Sequence, residues 1–143
     1  MTFKQLIKIE DAAMEVWVIS PYLHYDINDA DFSEIVSVNL GQKTKYKYIV
    51  PATKTVLKNV EAYQKKYKVK DAEIARNFLI LPENDFIPFV LEIAIYNANS
   101  ECIACAAPSL EGGAEVIRFT DETALSMAEH FRYIWKKYKR EKI

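Results

Sequence analysis

Three short apolar runs each end at a proline, with stretches of helix length between them, and no other feature constrains the fold as tightly. EVWVIS (Glu15 to Ser20) stops at Pro21, KYKYIV (Lys45 to Val50) at Pro51 and NFLIL (Asn77 to Leu81) at Pro82. Each run has the length and the β-branched and aromatic bias of a strand, and proline, which has no N–H to donate, ends it. Between the first two, Asp31 is placed to cap a helix with Glu34 three residues on. Phe32, Ile35, Val36 and Leu40 line one side of that helix, and Gly41 stops it. Between the second and third, Lys54 to Tyr67 reads as a lysine-rich helix with Val56, Leu57, Val60 and Tyr63 inward. Strands joined through helices must run parallel, because a crossover is needed to return the chain to the same end of the sheet.

The second half changes character. Phe89 to Tyr96, Cys102 to Ala107 and Glu115 to Phe119 are short apolar runs separated by Asn97, Asn99 and Ser100 and then by Gly112 and Gly113. Turn residues at that spacing predict antiparallel strands. A final helix begins at Thr120, carries Asp121 and Glu122 at its positive end and KKYKREK at its negative end. Ala124, Ala128, Phe131, Trp135 and Tyr138 make one apolar stripe along it. The expected architecture is α/β, a mixed sheet flanked by helices. It forms a single domain over 1–143, with 1–13 as an N-terminal segment and the core at about 15–138.

Composition excludes several classes. With 143 residues, 50% hydrophobic and 27% charged, the chain has an ordinary globular make-up, and three glycines and five prolines leave no room for a low-complexity arm. No apolar run approaches the roughly 18–20 residues of a membrane span. The N-terminus reaches Glu10 and Asp11 before any long apolar core, unlike a secretory signal. Two cysteines point to a reducing compartment, so a cytoplasmic location is expected.

Charge is segregated beneath a formal net of -1. Residues 43–70 hold nine basic side chains against Glu61 alone, a local net of +8, and residues 71–122 carry a net of -8. Lys43, Lys45, Lys47, Lys65 and Lys66 are therefore candidate anion contacts, interleaved with tyrosines as in surfaces that meet nucleic-acid phosphates.

Few residues offer catalytic chemistry. Cys102 and Cys105 have CxxC spacing, yet residues three apart on a strand point to opposite faces and cannot share a metal or a disulfide. His24 follows the first strand, where α/β proteins place ligands, and His130 lies beside the last helix's apolar stripe. No phosphate-binding glycine loop, GxSxG elbow or HExxH helix is present, and no metal or cofactor is expected.

Taken together, VWVISPYL, an acid-capped helix, YKYIVP and the later strands resemble half of a phospholipase D-like domain over residues 15–138. That family's signature is a strand of pattern HxKxxxxD, then a turn and a strand reading Ile-Gly-Ser-x-Asn. VLEIAIYN (Val90 to Asn97) falls at the first strand and IACAA (Ile103 to Ala107) at the second. On this resemblance Val90 stands where the nucleophilic histidine would be, Glu92 for the phosphate-binding lysine and Asn97 for the aspartate. Cys105 and Ala107 replace the serine and asparagine, and Glu115 falls where an acidic residue is common. Valine offers no lone pair and Glu92 would repel a phosphodiester, so no phosphodiesterase activity is expected.

The resemblance implies a non-catalytic module for sensing, regulation or assembly, paired as a homodimer across the face bearing Glu92 and Asn97. The alternative is a nucleic-acid-associated module, or the effector domain of a regulator, using the basic 43–70 surface. An enzyme with an unrelated site around Cys105 and His24 ranks third. Strand alternation also predicts that Val90, Glu92, Ala94 and Tyr96 share a face, and that Leu91, Ile93 and Ile95 pack under a helix. A carboxylate at Glu92 then needs a partner, expected to be Tyr96, Asn97 or a residue of a second subunit.

Overall fold

The proline-stopped runs pair in parallel, as their spacing predicts. Strand β1 (Glu15–Ile19) lies beside β2 (Lys45–Pro51), which lies beside β3 (Phe78–Leu81). On its other edge β1 pairs antiparallel with β4 (Leu91–Tyr96), followed by β5 (Ile103–Pro108) and β6 (Ile117–Arg118), also antiparallel. The order is β3-β2-β1-β4-β5-β6, a mixed six-stranded sheet flanked by helices. The computed structural model describes residues 1–86, 91–108 and 115–143. Phe89, Val90, Gly112 and Gly113, which the sequence reading invoked, fall outside those residues. Strand β6 is shorter than the run from Glu115 to Phe119, because only Ile117 and Arg118 find ladder partners, on Ala106 and Cys105.

Among the described residues, six α-helices flank the sheet. The N-terminal segment is not an appendage but helix α1 (Phe3–Ala12), started by a reciprocal Thr2–Gln5 capping box. Helix α2 (Tyr25–Asn28) begins directly after His24, and α3 (Ala30–Gly41) follows it. Asp29, not Asp31, caps α3: Asp29 is extended and accepts from the Phe32 N–H, while Asp31 sits within the first turn, at the positive end of the helix. Helix α4 (Lys54–Tyr67) has the expected bounds, but Leu57 faces solvent and the buried stripe is Val56, Val60 and Tyr63. Helix α5 (Asp71–Asn77) runs directly into β3, and α6 (Asp121–Lys139) is capped by Thr120 as expected. Among the described residues no helix is long and apolar enough to cross a membrane.

Strand alternation splits the core in two. Val16, Val18, Tyr46, Tyr48, Tyr96 and Cys105 face helices α1 to α4. Trp17, Ile49, Ile95 and Ala104 face α6, where Phe131 stacks 4.8 Å from Trp17 and 5.7 Å from Trp135. The small Ala124 and Ala128 let α6 approach the sheet closely. Ile93 and Ile95 pack on the α6 side while Ala94 and Tyr96 face the other, the division that alternation predicts. Cys102 and Cys105 are free and fall in the two separate cores, so they share neither a metal nor a disulfide.

Candidate functional site

Carboxylates concentrate under α1 and α2. An amphipathic helix that buries Leu6 also turns Glu10 inward one turn later, so α1 delivers an acid to the sheet. Strand β2 delivers hydroxyls, because KYKY places Tyr46 and Tyr48 on the same inner face. The Glu10 carboxyl receives hydrogen bonds from Tyr46 (3.1 Å) and Tyr96 (2.9 Å). Asp26, supplied by α2, receives the Tyr48 hydroxyl at 2.5 Å, and Tyr48 lies 3.3 Å from the Tyr63 hydroxyl. Asn39 ties the group together, its amide donating to the Glu10 carbonyl and the Tyr46 hydroxyl. Seven buried polar side chains are thus linked through hydrogen bonds, with the Asn39 Oδ1 left without a partner.

Glu10, Asp26 and Glu92 line a common cavity of about 30 Å³, together with Leu6, Tyr25 and Cys105. That volume holds a water molecule or two and no organic substrate. Burial, reinforced by the Asp26 charge, pushes the Glu10 pKa up to about 8 from an ordinary 4.5, against hydrogen bonds from Tyr96 and Tyr46 that lower it. Burial likewise lifts Asp26 to about 6, opposed by the Tyr48 hydrogen bond and the Lys66 charge. Glu92 is held well above its ordinary value by burial and then by Asp26, with a Ser20 hydrogen bond pulling the other way. Cys105 is pushed up to about 11 by burial, which leaves a neutral thiol and no nucleophile.

Of the described residues that the resemblance singled out, the cavity brings together Glu92, Cys105 and Ala107, with Ala94 and Tyr96 on the same strand face as Glu92. Glu92 hydrogen-bonds Ser20, at the end of β1, rather than Tyr96 or Asn97. Tyr96 is committed to Glu10, and the Asn97 side-chain oxygen accepts from the Met14 and Glu15 N–H groups, fastening the end of β4 to the start of β1. Asn97 adopts φ 50°, a left-handed turn conformation that asparagine tolerates well, so its role is structural. Glu115 is exposed, and neither it nor His24 lines the cavity. His24 precedes α2, half-buried, with its Nδ1 3.3 Å from the Asn28 amide. Val90 lies outside the described residues. Helix α1, through Leu6 and Glu10, and helix α2, through Tyr25 and Asp26, line the same cavity as Glu92.

The lysines do not form one surface. Lys45 and Lys47 alternate with Tyr46 and Tyr48 and so belong to the α6 side, where the Lys47 ammonium stands 5.0 Å from the Trp135 ring. Lys65 and Lys66 ride on α4 across the sheet, and Lys66 donates to the Ile27 carbonyl. Lys43, at φ 66°, lies in the turn before β2.

Sequence reasoning missed Glu10 and Asp26. The available signal was the phase of α1, where Phe3, Leu6 and Ile7 place position 10 on the inner stripe, and an inward tyrosine pair that needed acceptors. Among the described residues no three or more His, Cys, Asp and Glu side chains are grouped to hold a metal ion. No family model, curated protein or solved structure matches this chain.

Proposed function

We propose that the chain is a non-catalytic phospholipase D-like half domain that serves as a sensing or regulatory module and works as a homodimer. The observation that carries this reading is the lining of the cavity under β4 and β5. Glu92 stands where the resemblance puts a phosphate-binding lysine, and beside it are Glu10 and Asp26, with no lysine, arginine or histidine among the described lining residues. Phosphoryl transfer requires cations or directed donors at the developing negative charge and a nucleophile to attack phosphorus. A small cavity with three carboxyl groups supplies the opposite field. The order strand, helix, strand, helix, strand, then an antiparallel pair and a closing helix supports the resemblance, and a second copy would supply the family's other half.

The test is hydrolysis of bis(p-nitrophenyl) phosphate by the wild type and by the double variant Val90→His/Glu92→Lys. Neither is expected to exceed the buffer blank, since Asn97, Cys105 and Ala107 still lack the supporting groups. Turnover by the double variant above both single variants would overturn the reading. Sedimentation velocity at tens of micromolar is expected to show the dimer, and a monomer alone removes that part of the proposal.

A further inference from the structure

A second cavity, of about 380 Å³, opens on the other face of the sheet, at the carboxyl ends of the parallel strands. Its floor is Ile19 of β1, Ile49 of β2, Leu81 of β3 and Ile93 of β4. Ile19 is in register with both Ile49 and Ile93, so the floor is a continuous patch across neighbouring strands. One wall is the first half of α6, with Ser126, Met127 and His130, and the opposite wall is Asp85 and Phe86. Open α/β sheets bind ligands outside the carboxyl ends of their strands, and here β1 is the strand from which the order runs outward in both directions. The volume is within the range of small-molecule sites, which are apolar with a few placed polar groups. The acid cluster is on the other side of the sheet and plays no part.

We propose that this cavity binds a small apolar or aromatic molecule carrying one protonated amine, with the ring body on the isoleucine floor and the ammonium at Asp85. Asp85 is positioned rather than loose, because the Tyr138 hydroxyl donates to its Oδ2 at 3.1 Å. A carboxylate has about four acceptor sites, so one such bond leaves capacity for a ligand N–H. Asp85 is the one carboxylate among the described lining residues, and His130 is the one imidazole. Asp121 and Glu122 lie two and one residues before the lining residue Thr123 and already occupy the positive end of α6. The neutral floor selects for an apolar body, and the carboxylate selects the sign of its charge.

The proposal names a ligand class for the sensing reading and rests on that reading for its biological sense. Binding is measured without phosphodiester chemistry, so loss of either conclusion leaves the other intact. The probes are tryptamine, its neutral relative 3-methylindole and the anion indole-3-propionate, titrated by calorimetry. Tryptamine is expected to bind saturably and about tenfold or more tighter than indole-3-propionate, the size of one charge-assisted hydrogen bond. Asp85→Asn, at an exposed position that keeps an acceptor for Tyr138, is expected to weaken tryptamine about tenfold and leave 3-methylindole unchanged. Ser126→Trp, also at an exposed position, fills the cavity and is expected to abolish binding of all three. No saturable tryptamine binding, equal affinity for cation and anion, or unchanged binding in Ser126→Trp would each overturn the proposal.

Discussion

On the α6 face of the sheet, Trp17, Phe131 and Trp135 stack ring on ring over Ile95 and Ala104. On the opposite face, tyrosines at equally buried positions hold Glu10 and Asp26 through their hydroxyls. The two layers exclude water to a similar degree but answer to different variables. The α6 layer gains from apolar area and dispersion, which pH does not touch. The other layer is stable only while its carboxyl groups are protonated or fully hydrogen-bonded, because a buried charge without a cation is costly. One strand can serve both layers because alternate side chains face opposite ways, as β4 does with Ile93 and Ile95 on one side and Ala94 and Tyr96 on the other.

The sharpest way to break the comparison is to remove Phe131. It is wholly buried between two tryptophans, and Phe131→Ala deletes a ring that no neighbour can replace. A loss of about 3–5 kcal/mol is expected in urea unfolding. The loss should be the same at pH 5 and pH 8, since the charged side chains beside the stack contact the two tryptophans and not the Phe131 ring; a loss that varied with pH would show that the two faces are coupled through the sheet.

Glu10→Gln is the matching test on the acid face. Below about pH 4.5 Glu10 carries a proton in both folded and unfolded chains, and the native state is not penalised. As pH rises from 4.5 towards 8, only the unfolded chain releases that proton, so wild-type stability falls; above about 8 the decline levels off. Asp26 acts in the same direction over a lower window, from about 3.8 to 6. Between pH 6 and 8 Glu10 alone should therefore cost the wild type about 2 kcal/mol, and Glu10→Gln should lose less by that amount, keeping only the slope that the raised Glu92 adds to both proteins. Denaturant midpoints at a series of pH values decide it. An equal slope in the variant would mean that Glu10 is ionised in the native state at neutral pH.

These two faces were unequally legible in the sequence. The α6 face could be read directly, because the spacing of Ala124, Ala128, Phe131 and Trp135 fits a helical stripe and nothing polar interrupts it. The strands were legible for a related reason: each run is apolar and ends at proline. The acid face was not, because its defining residues break the rules that make a core readable. Glu10 looks like the polar end of a short N-terminal segment, and Asp26 follows a histidine and a tyrosine in what reads as a loop. Only the three-dimensional approach of α1 and α2 to β2 and β4 gives both acids their tyrosines. Buried polar clusters are assembled from distant positions, here up to 86 residues apart, so local periodicity carries no trace of them. The lysine block misled for the converse reason. It is contiguous in sequence, yet alternation in β2 and the crossover to α4 send its members to opposite sides of the sheet.

Helix α4 supplies the smallest effect. Val56, Val60 and Tyr63 recur at spacings of four and three and are buried, whereas Leu57, one residue on from Val56, is rotated about 100° away and remains 47% exposed. Leu57→Lys keeps a good helix former, places its ammonium in water and gains Glu61 four residues on, against repulsion from Lys54 three residues back. The net change is expected to stay within about 0.5 kcal/mol. Val60→Ala on the same helix should cost about 2 kcal/mol, through lost burial and the space left behind. Both are read from thermal unfolding at several protein concentrations. Should Leu57→Lys cost as much as Val60→Ala, and only at concentrations where the chain is dimeric, Leu57 would be buried by a second copy, and the outer face of α4, not the Glu92 face, would be the contact between copies.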